Sequence, residues 1–151
     1  KNWDSIKQET KHQQTAADTL DGVCKALPAL MYAQKLGKRA GRAGMDWKSA
    51  EEAFQYIRKE TDELEAAMQS GDSRQIEEEL GDLLFSCVNT ARHLKIDAET
   101  AMRDAAEKFR KRFAETERLV LADHQDMASL DLERLDEYWA QAKKNLAGPC
   151  A

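Results

Sequence analysis

Ala and Leu dominate the aliphatic residues of this chain, 23 and 15 against 4 Ile and 3 Val. Ala and Leu form helices readily, whereas β-branched side chains favour strands. Seven Gly and two Pro are few for a turn-rich protein of 151 residues. The bias predicts an all-α fold and argues against an all-β or doubly wound α/β architecture. Apolar residues at 42% supply a core, and the composition is not that of a disordered chain.

Periodicity divides the chain into helices. Residues 1–24 are polar and weakly periodic and read as an N-terminal arm or interdomain segment. A helical domain is expected over 25–145, followed by a tail at 146–151. Pro28 suits a helix start, and Gly41 with Gly44 suits its end. Ser49 and Glu52 have capping-box spacing. Ala53, Tyr56, Ile57, Leu64, Ala67 and Met68 follow at helical intervals. Ser70-Gly71-Asp72-Ser73 reads as a turn, and Ile76, Leu80, Leu83, Cys87 and Val88 mark the next helix. Asp97 is an expected cap for a helix running to about residue 121, and a shorter helix is expected over 130–144. The sum is a helical bundle with short connections.

Several function classes are disfavoured. The net charge of -5 argues against a nucleic-acid binder that relies on phosphate neutralisation. Cys24, Cys87 and Cys150 form no CxxC pair, and His12, His93 and His124 lack ligand spacing. A reducing, cytoplasmic setting without disulfides or structural zinc is expected. No apolar run reaches membrane-spanning length, so no membrane partner is expected. The chain starts at Lys1 rather than Met, as a piece of a longer protein would.

Charge is uneven along the chain. Residues 25–48 carry a net +5, and residues 49–82 a net -8. A cationic helix beside an anionic hairpin could hold a metal and an anionic ligand together; ordinary surface charge is the competing reading. Glu60 and Glu63 are three apart, as are Glu79 and Asp82, and such pairs share a helix face. Reflection through the turn sets Glu63 level with Glu79, and Glu60 level with Asp82. These acids interrupt apolar stripes instead of lying opposite them. Four clustered carboxylates repel, and a bound cation removes that cost. An all-oxygen donor set without His or Cys suits a hard ion, Mg2+ before Mn2+ or Ca2+. The competing reading is a pair of solvated acidic faces. Gly81 is expected to allow close backbone approach at this seam. Asn89 continues the polar line from Asp82 and Ser86, either beside the site or as a helix–helix hydrogen bond.

The segments DGVCKALPALMYAQKLGKRAGRAGMDW, KETDELEAAM, EEELGDLLFSCVNTARHLKID and EKFRKRF resemble the MazG family of all-α nucleoside triphosphate pyrophosphohydrolases, its C-terminal domain in particular. The resemblance covers roughly residues 20–145. The family pattern EExxE followed by ExxD reads here Lys59-Glu60-Thr61-Asp62-Glu63, then Glu79-Leu80-Gly81-Asp82.

The resemblance implies hydrolysis of a nucleoside triphosphate to monophosphate and pyrophosphate, a house-cleaning of the nucleotide pool. It implies Mg2+, with Mn2+ as a substitute, and a homodimer. By the same likeness Glu60, Glu63, Glu79 and Asp82 are the metal ligands and catalytic carboxylates. Lys35, Lys38 and Arg39 match the basic helix, Lys108 and Arg112 the KFxxRF segment, and Trp47 a tryptophan placed to stack on a base. Arg110 and Lys111 read as surface. Two positions depart from the pattern: Lys59 replaces its first Glu, and Ala106 its usual Asn. The alternative function is a non-catalytic nucleotide-binding or dimeric interaction module that lost activity through these two changes. A helical adaptor with acids only on its surface is a third reading. No Walker motif and no Ser–His or Cys–His arrangement suggests another chemistry.

Overall fold

The computed structural model describes residues 15–148. Residues 1–14 and 149–151 lie outside the described residues, and with them most of the expected arm, part of the expected tail, His12 and Cys150. Six α-helices occur among the described residues: α1 Ala16–Asp21, α2 Ala29–Arg42, α3 Ala50–Ser70, α4 Ser73–His93, α5 Ala98–Ala122 and α6 Leu132–Leu146. A short 3-10 turn, Met127–Ser129, precedes α6, and no strand occurs among these residues. The all-α expectation holds. None of these helices is long and apolar enough to cross a membrane.

Local chemistry explains the boundaries. Thr15 and Asp18 form a reciprocal capping box at the start of α1, with N–O distances of 3.1 and 2.9 Å. Ser49 Oγ accepts from Glu52 N–H at 3.1 Å at the start of α3. Glu52 reaches past Ser49 to the Lys48 N–H at 2.9 Å, so the expected box closes one residue earlier. Gly71 ends α3 in the left-handed region at φ 74°, where glycine carries no Cβ penalty. Asp72 immediately caps α4 through the Arg74 and Gln75 N–H groups. The α3–α4 turn is therefore only two residues long. Asp131 caps α6 through the Arg134 N–H at 2.8 Å.

The contacts separate two compact units, residues 1–99 and 100–151. In the first, α3 and α4 form the most extensive helix pair, and α2 packs on α4. Its buried apolar residues are small: Val23, Ala53, Ala67, Val88 and Ala98. Larger ones on α3 and α4, including Phe54, Met68, Leu80, Leu84 and Phe85, stay exposed. In the second unit, Val120, Tyr138 and Ala142 are buried, and the Tyr138 hydroxyl donates to Asp123 at 2.7 Å.

Gly37 gives α2 its close approach to α4. A Cβ there would lie 2.7 Å from Asn89 Oδ1 and 3.1 Å from Arg92 Nε. Gly81 differs from expectation: nothing lies within 4 Å of a Cβ built on it. It sits on the open side of α4 and serves no close approach among the described residues.

Candidate active site

The two-residue turn fixes the register between α3 and α4 and so determines which acids meet. Carboxylate oxygens of Glu60, Glu79 and Asp82 lie within 4.8 Å of one another. Glu60 is buried, with 8% of its surface exposed; Glu79 is half-buried and Asp82 exposed. Burial pushes the Glu60 carboxyl above the usual carboxylate range, and a hydrogen bond with Glu63 adds to the shift. Asp82 raises it further by its charge, while Lys59 opposes the shift. The shift is that of a buried carboxyl with acidic neighbours, only partly answered by Lys59.

Glu63 is the fourth expected acid and does not belong to this trio. Lys59 Nζ lies 3.0 Å from a Glu63 oxygen and 3.6 Å from a Glu60 oxygen. The Lys59 ammonium holds Glu63 below the usual carboxylate range, with the Glu60 hydrogen bond second. Glu63 raises the Lys59 pKa in return.

The expected cationic groups stand in varied surroundings. Lys35 and Lys38 are exposed on α2. Arg39 is half-buried and donates from Nη1 to the Thr19 carbonyl, tying α2 to α1. Trp47 packs edge-on against Tyr56, with centroids 5.1 Å apart, and Lys59 Nζ lies 5.9 Å from the Tyr56 ring centroid. In the second unit, Lys108 and Arg112 line an open groove of about 550 Å³ with Asp104, Glu107, Lys111 and Lys143. Lys111, expected to be plain surface, is part of that groove. Arg110 instead makes a two-point pair with Glu107 at 2.7 and 2.9 Å.

Sequence reasoning missed one ionic cluster. Asp46 accepts from Arg92 at 2.7 and 2.8 Å and contacts His93 Nε2 at 2.9 Å. The Trp47 N–H donates to the same carboxylate at 2.9 Å. Arg92 leads the causes that hold the Asp46 carboxyl far below the usual range. Asn89, 2% exposed, accepts from Arg92 at 3.3 Å against the face that Gly37 leaves open. That hydrogen bond lies within α4 and does not join two helices. The only sequence signal was a lone Asp46 within a basic stretch, 46 residues from Arg92.

Residues 48–115 match the MazG nucleotide pyrophosphohydrolase domain. This segment belongs to the MazG family. The chain is 43% identical over 144 residues to the Escherichia coli K12 nucleoside triphosphate pyrophosphohydrolase, covering 94% of this chain and 55% of that protein. It is 39% identical over 143 residues to the Thermotoga maritima nucleoside triphosphate pyrophosphohydrolase/pyrophosphatase MazG, covering 95% and 54%. Bacillus subtilis YabN, an uncharacterized protein, is 34% identical over 144 residues, or 95% of this chain and 29% of that protein. The chain thus spans about half the length of the MazG pyrophosphohydrolases it matches.

The MazG segment contains Glu60, Glu79 and Asp82, and their chemistry fits a divalent cation. The donors are all carboxylate oxygens, which suit a hard ion. Their separation lets a single ion touch all three. Lys59 Nζ, 3.6 Å from the buried Glu60, opposes the upward shift that burial produces without cancelling it. Of the two departures from the family pattern, Lys59 lies against this cluster. Ala106 is an exposed residue of α5, in the second unit.

Proposed function

We propose that this chain is a Mg2+-dependent nucleoside triphosphate pyrophosphohydrolase, with Mn2+ able to substitute. Water would add across the bridge between the α and β phosphates, giving a monophosphate and pyrophosphate. The observation that carries this reading is the meeting of Glu60, Glu79 and Asp82 within the MazG segment. The names of the Escherichia coli and Thermotoga maritima relatives support it.

Phosphoryl chemistry depends on positioning and charge neutralisation more than on covalent help. Glu60, Glu79 and Asp82 would hold the ion, which supplies neutralisation of the phosphate oxygens and polarisation of the bridge. Glu63, one turn on from Glu60 along α3, can accept a proton from the attacking water. Lys35 and Lys38 offer exposed ammonium groups to phosphate oxygens, and Trp47 offers an aromatic face for a base. Arg39 acts mainly by fixing α2 through Thr19. Lys108 and Arg112 are proposed as anion-binding groups within their own groove. The reading extends to a cytoplasmic role in clearing the nucleotide pool. It also includes a homodimer, supported by the exposed Leu80, Leu84 and Phe85 of α4.

A second reading, nucleotide binding without turnover, is favoured by the Lys59–Glu63 pair, which answers part of the charge meant for an ion. The test is to incubate the chain with each common nucleoside triphosphate and resolve the products by phosphorus NMR. Monophosphate and pyrophosphate should appear with Mg2+ and not with EDTA. Diphosphate with inorganic phosphate would overturn the reaction, and nucleotide binding without any product would select the second reading.

A further inference from the structure

Lys59 is a cation set against the acidic face of α3. It precedes Glu60, and its ammonium turns back along α3 to bridge Glu63 at 3.0 Å and Glu60 at 3.6 Å. Glu63 lies three residues on from Glu60 in α3, on the same helix face. Yet the oxygens that gather within 4.8 Å are those of Glu60, Glu79 and Asp82 alone. Of the two carboxylates that Lys59 bridges, the one left out of the gathering is the one it holds more closely.

We infer that Lys59 is a built-in counter-cation that withholds Glu63 from the metal site, so that the free protein takes its divalent ion on three carboxylates. The inference rests on the metal reading above and concerns only which side chains the ion meets. Two ions of like sign compete for the same carboxylate. An ammonium 3.0 Å from Glu63 satisfies that group and repels a divalent cation nearby. The restraint is weak by construction. A Lys four residues before a Glu is the less favourable order on a helix, and the Lys59 side chain is 58% exposed, where solvent screens the pair. The neighbouring Tyr56 ring lies on the same side as the ammonium, 5.9 Å away, and favours a cation there. Lys59 therefore sets how many carboxylates the site offers, and sets metal affinity, without itself touching the ion.

The test is a titration of the whole chain with Mn2+ alone, followed by electron paramagnetic resonance of free Mn2+. Asp82→Asn should weaken binding by about 10-fold or more, since even loss of a partner that supports a metal ligand costs that much. Glu63→Gln should change it by less than about 2-fold, because a carboxylate already held by an ammonium contributes little. Lys59→Met should tighten binding by about 3-fold, the scale of one partly screened charge. Glu63→Gln should then weaken binding by about 10-fold in the Lys59→Met background, since the freed carboxylate now serves as a ligand. Equal weakening by Glu63→Gln and Asp82→Asn in the unsubstituted protein would overturn the inference. So would a Lys59→Met protein that binds Mn2+ no more tightly. Failure of every form to bind Mn2+ would overturn the metal reading itself, and the inference with it.

Discussion

Helix α4 carries ionic groups toward both of its ends, and the two regions treat charge in opposite ways. At the C-terminal end, Arg92 and His93 surround Asp46, and the Trp47 N–H completes the shell of that carboxylate. Cations there also suit the negative end of a helix dipole. In the N-terminal half, Glu79 and Asp82 face Glu60, an acid meeting acids. One carboxylate is pushed far down and the other up. A charge answered by its neighbours holds the fold together. A buried charge left against like charges costs stability until something outside the chain answers it. The first region is structural by this criterion, and the second is where a ligand belongs.

The largest expected effect lies in the second region. Asp82→Asn should lower Mg2+-dependent turnover by about 100-fold or more, because one of three ion-holding groups is lost. Its helical circular dichroism should match the parent, since Asp82 is exposed. Unchanged turnover would erase the distinction between the two ends of α4.

In the first region the effect should fall on stability instead. Asp46→Ala strips a two-point partner from Arg92, whose side chain is only 15% exposed. The expected loss is about 2–3 kcal/mol in denaturant unfolding. The pH dependence follows from the direction of the Asp46 shift. A carboxyl depressed by folding stabilises the protein fully above its unfolded pKa of about 4 and loses that contribution as pH falls through the depressed value. Asp46→Asn should remove this part of the acid-side loss of stability. An unaltered acid profile would show that Asp46 is not the group responsible.

Two glycines give the smallest and most local comparison. Ala is favoured over Gly inside a helix by about 1 kcal/mol where space permits. Gly81→Ala meets nothing within 4 Å and should gain about that much. Gly37→Ala would press its methyl to 2.7 Å from Asn89 Oδ1, a side chain with almost no exposure. It should cost about 1–3 kcal/mol despite the same helix preference. Equal melting temperatures for the two variants would mean that α2 does not bear on α4 as closely as described.

Helices α2 to α6 and the meeting of three of the four expected acids were legible in the sequence for a common reason. Helix boundaries are written locally, in Thr15, Ser49, Gly71, Asp72 and Asp131, and so is the i,i+3 placement of Glu60–Glu63 and Glu79–Asp82. A two-residue turn then carries that local pattern across to the neighbouring helix almost without ambiguity. What sequence could not show depends on distant or competing partners. Asp46 and Arg92 are 46 residues apart, and nothing in their spacing joins them. Glu63 had the same spacing credentials as its neighbours, but Lys59 claimed it. The sequence suggests a close approach at Gly81, but Gly37 is the glycine that makes one, and only the surroundings separate them.

The central claim is that the Glu60, Glu79 and Asp82 cluster carries a repulsion that a divalent ion relieves. Melting of the parent and of Asp82→Asn, each with EDTA and with Mg2+, tests it without any substrate. The account predicts that Asp82→Asn melts at or above the parent in EDTA, because one of three repelling charges is gone. Mg2+ should raise the parent by about 4 °C once about tenfold above its dissociation constant, and leave Asp82→Asn nearly unmoved. A parent that ignores Mg2+, or an Asp82→Asn protein that gains as much from it, would contradict the claim.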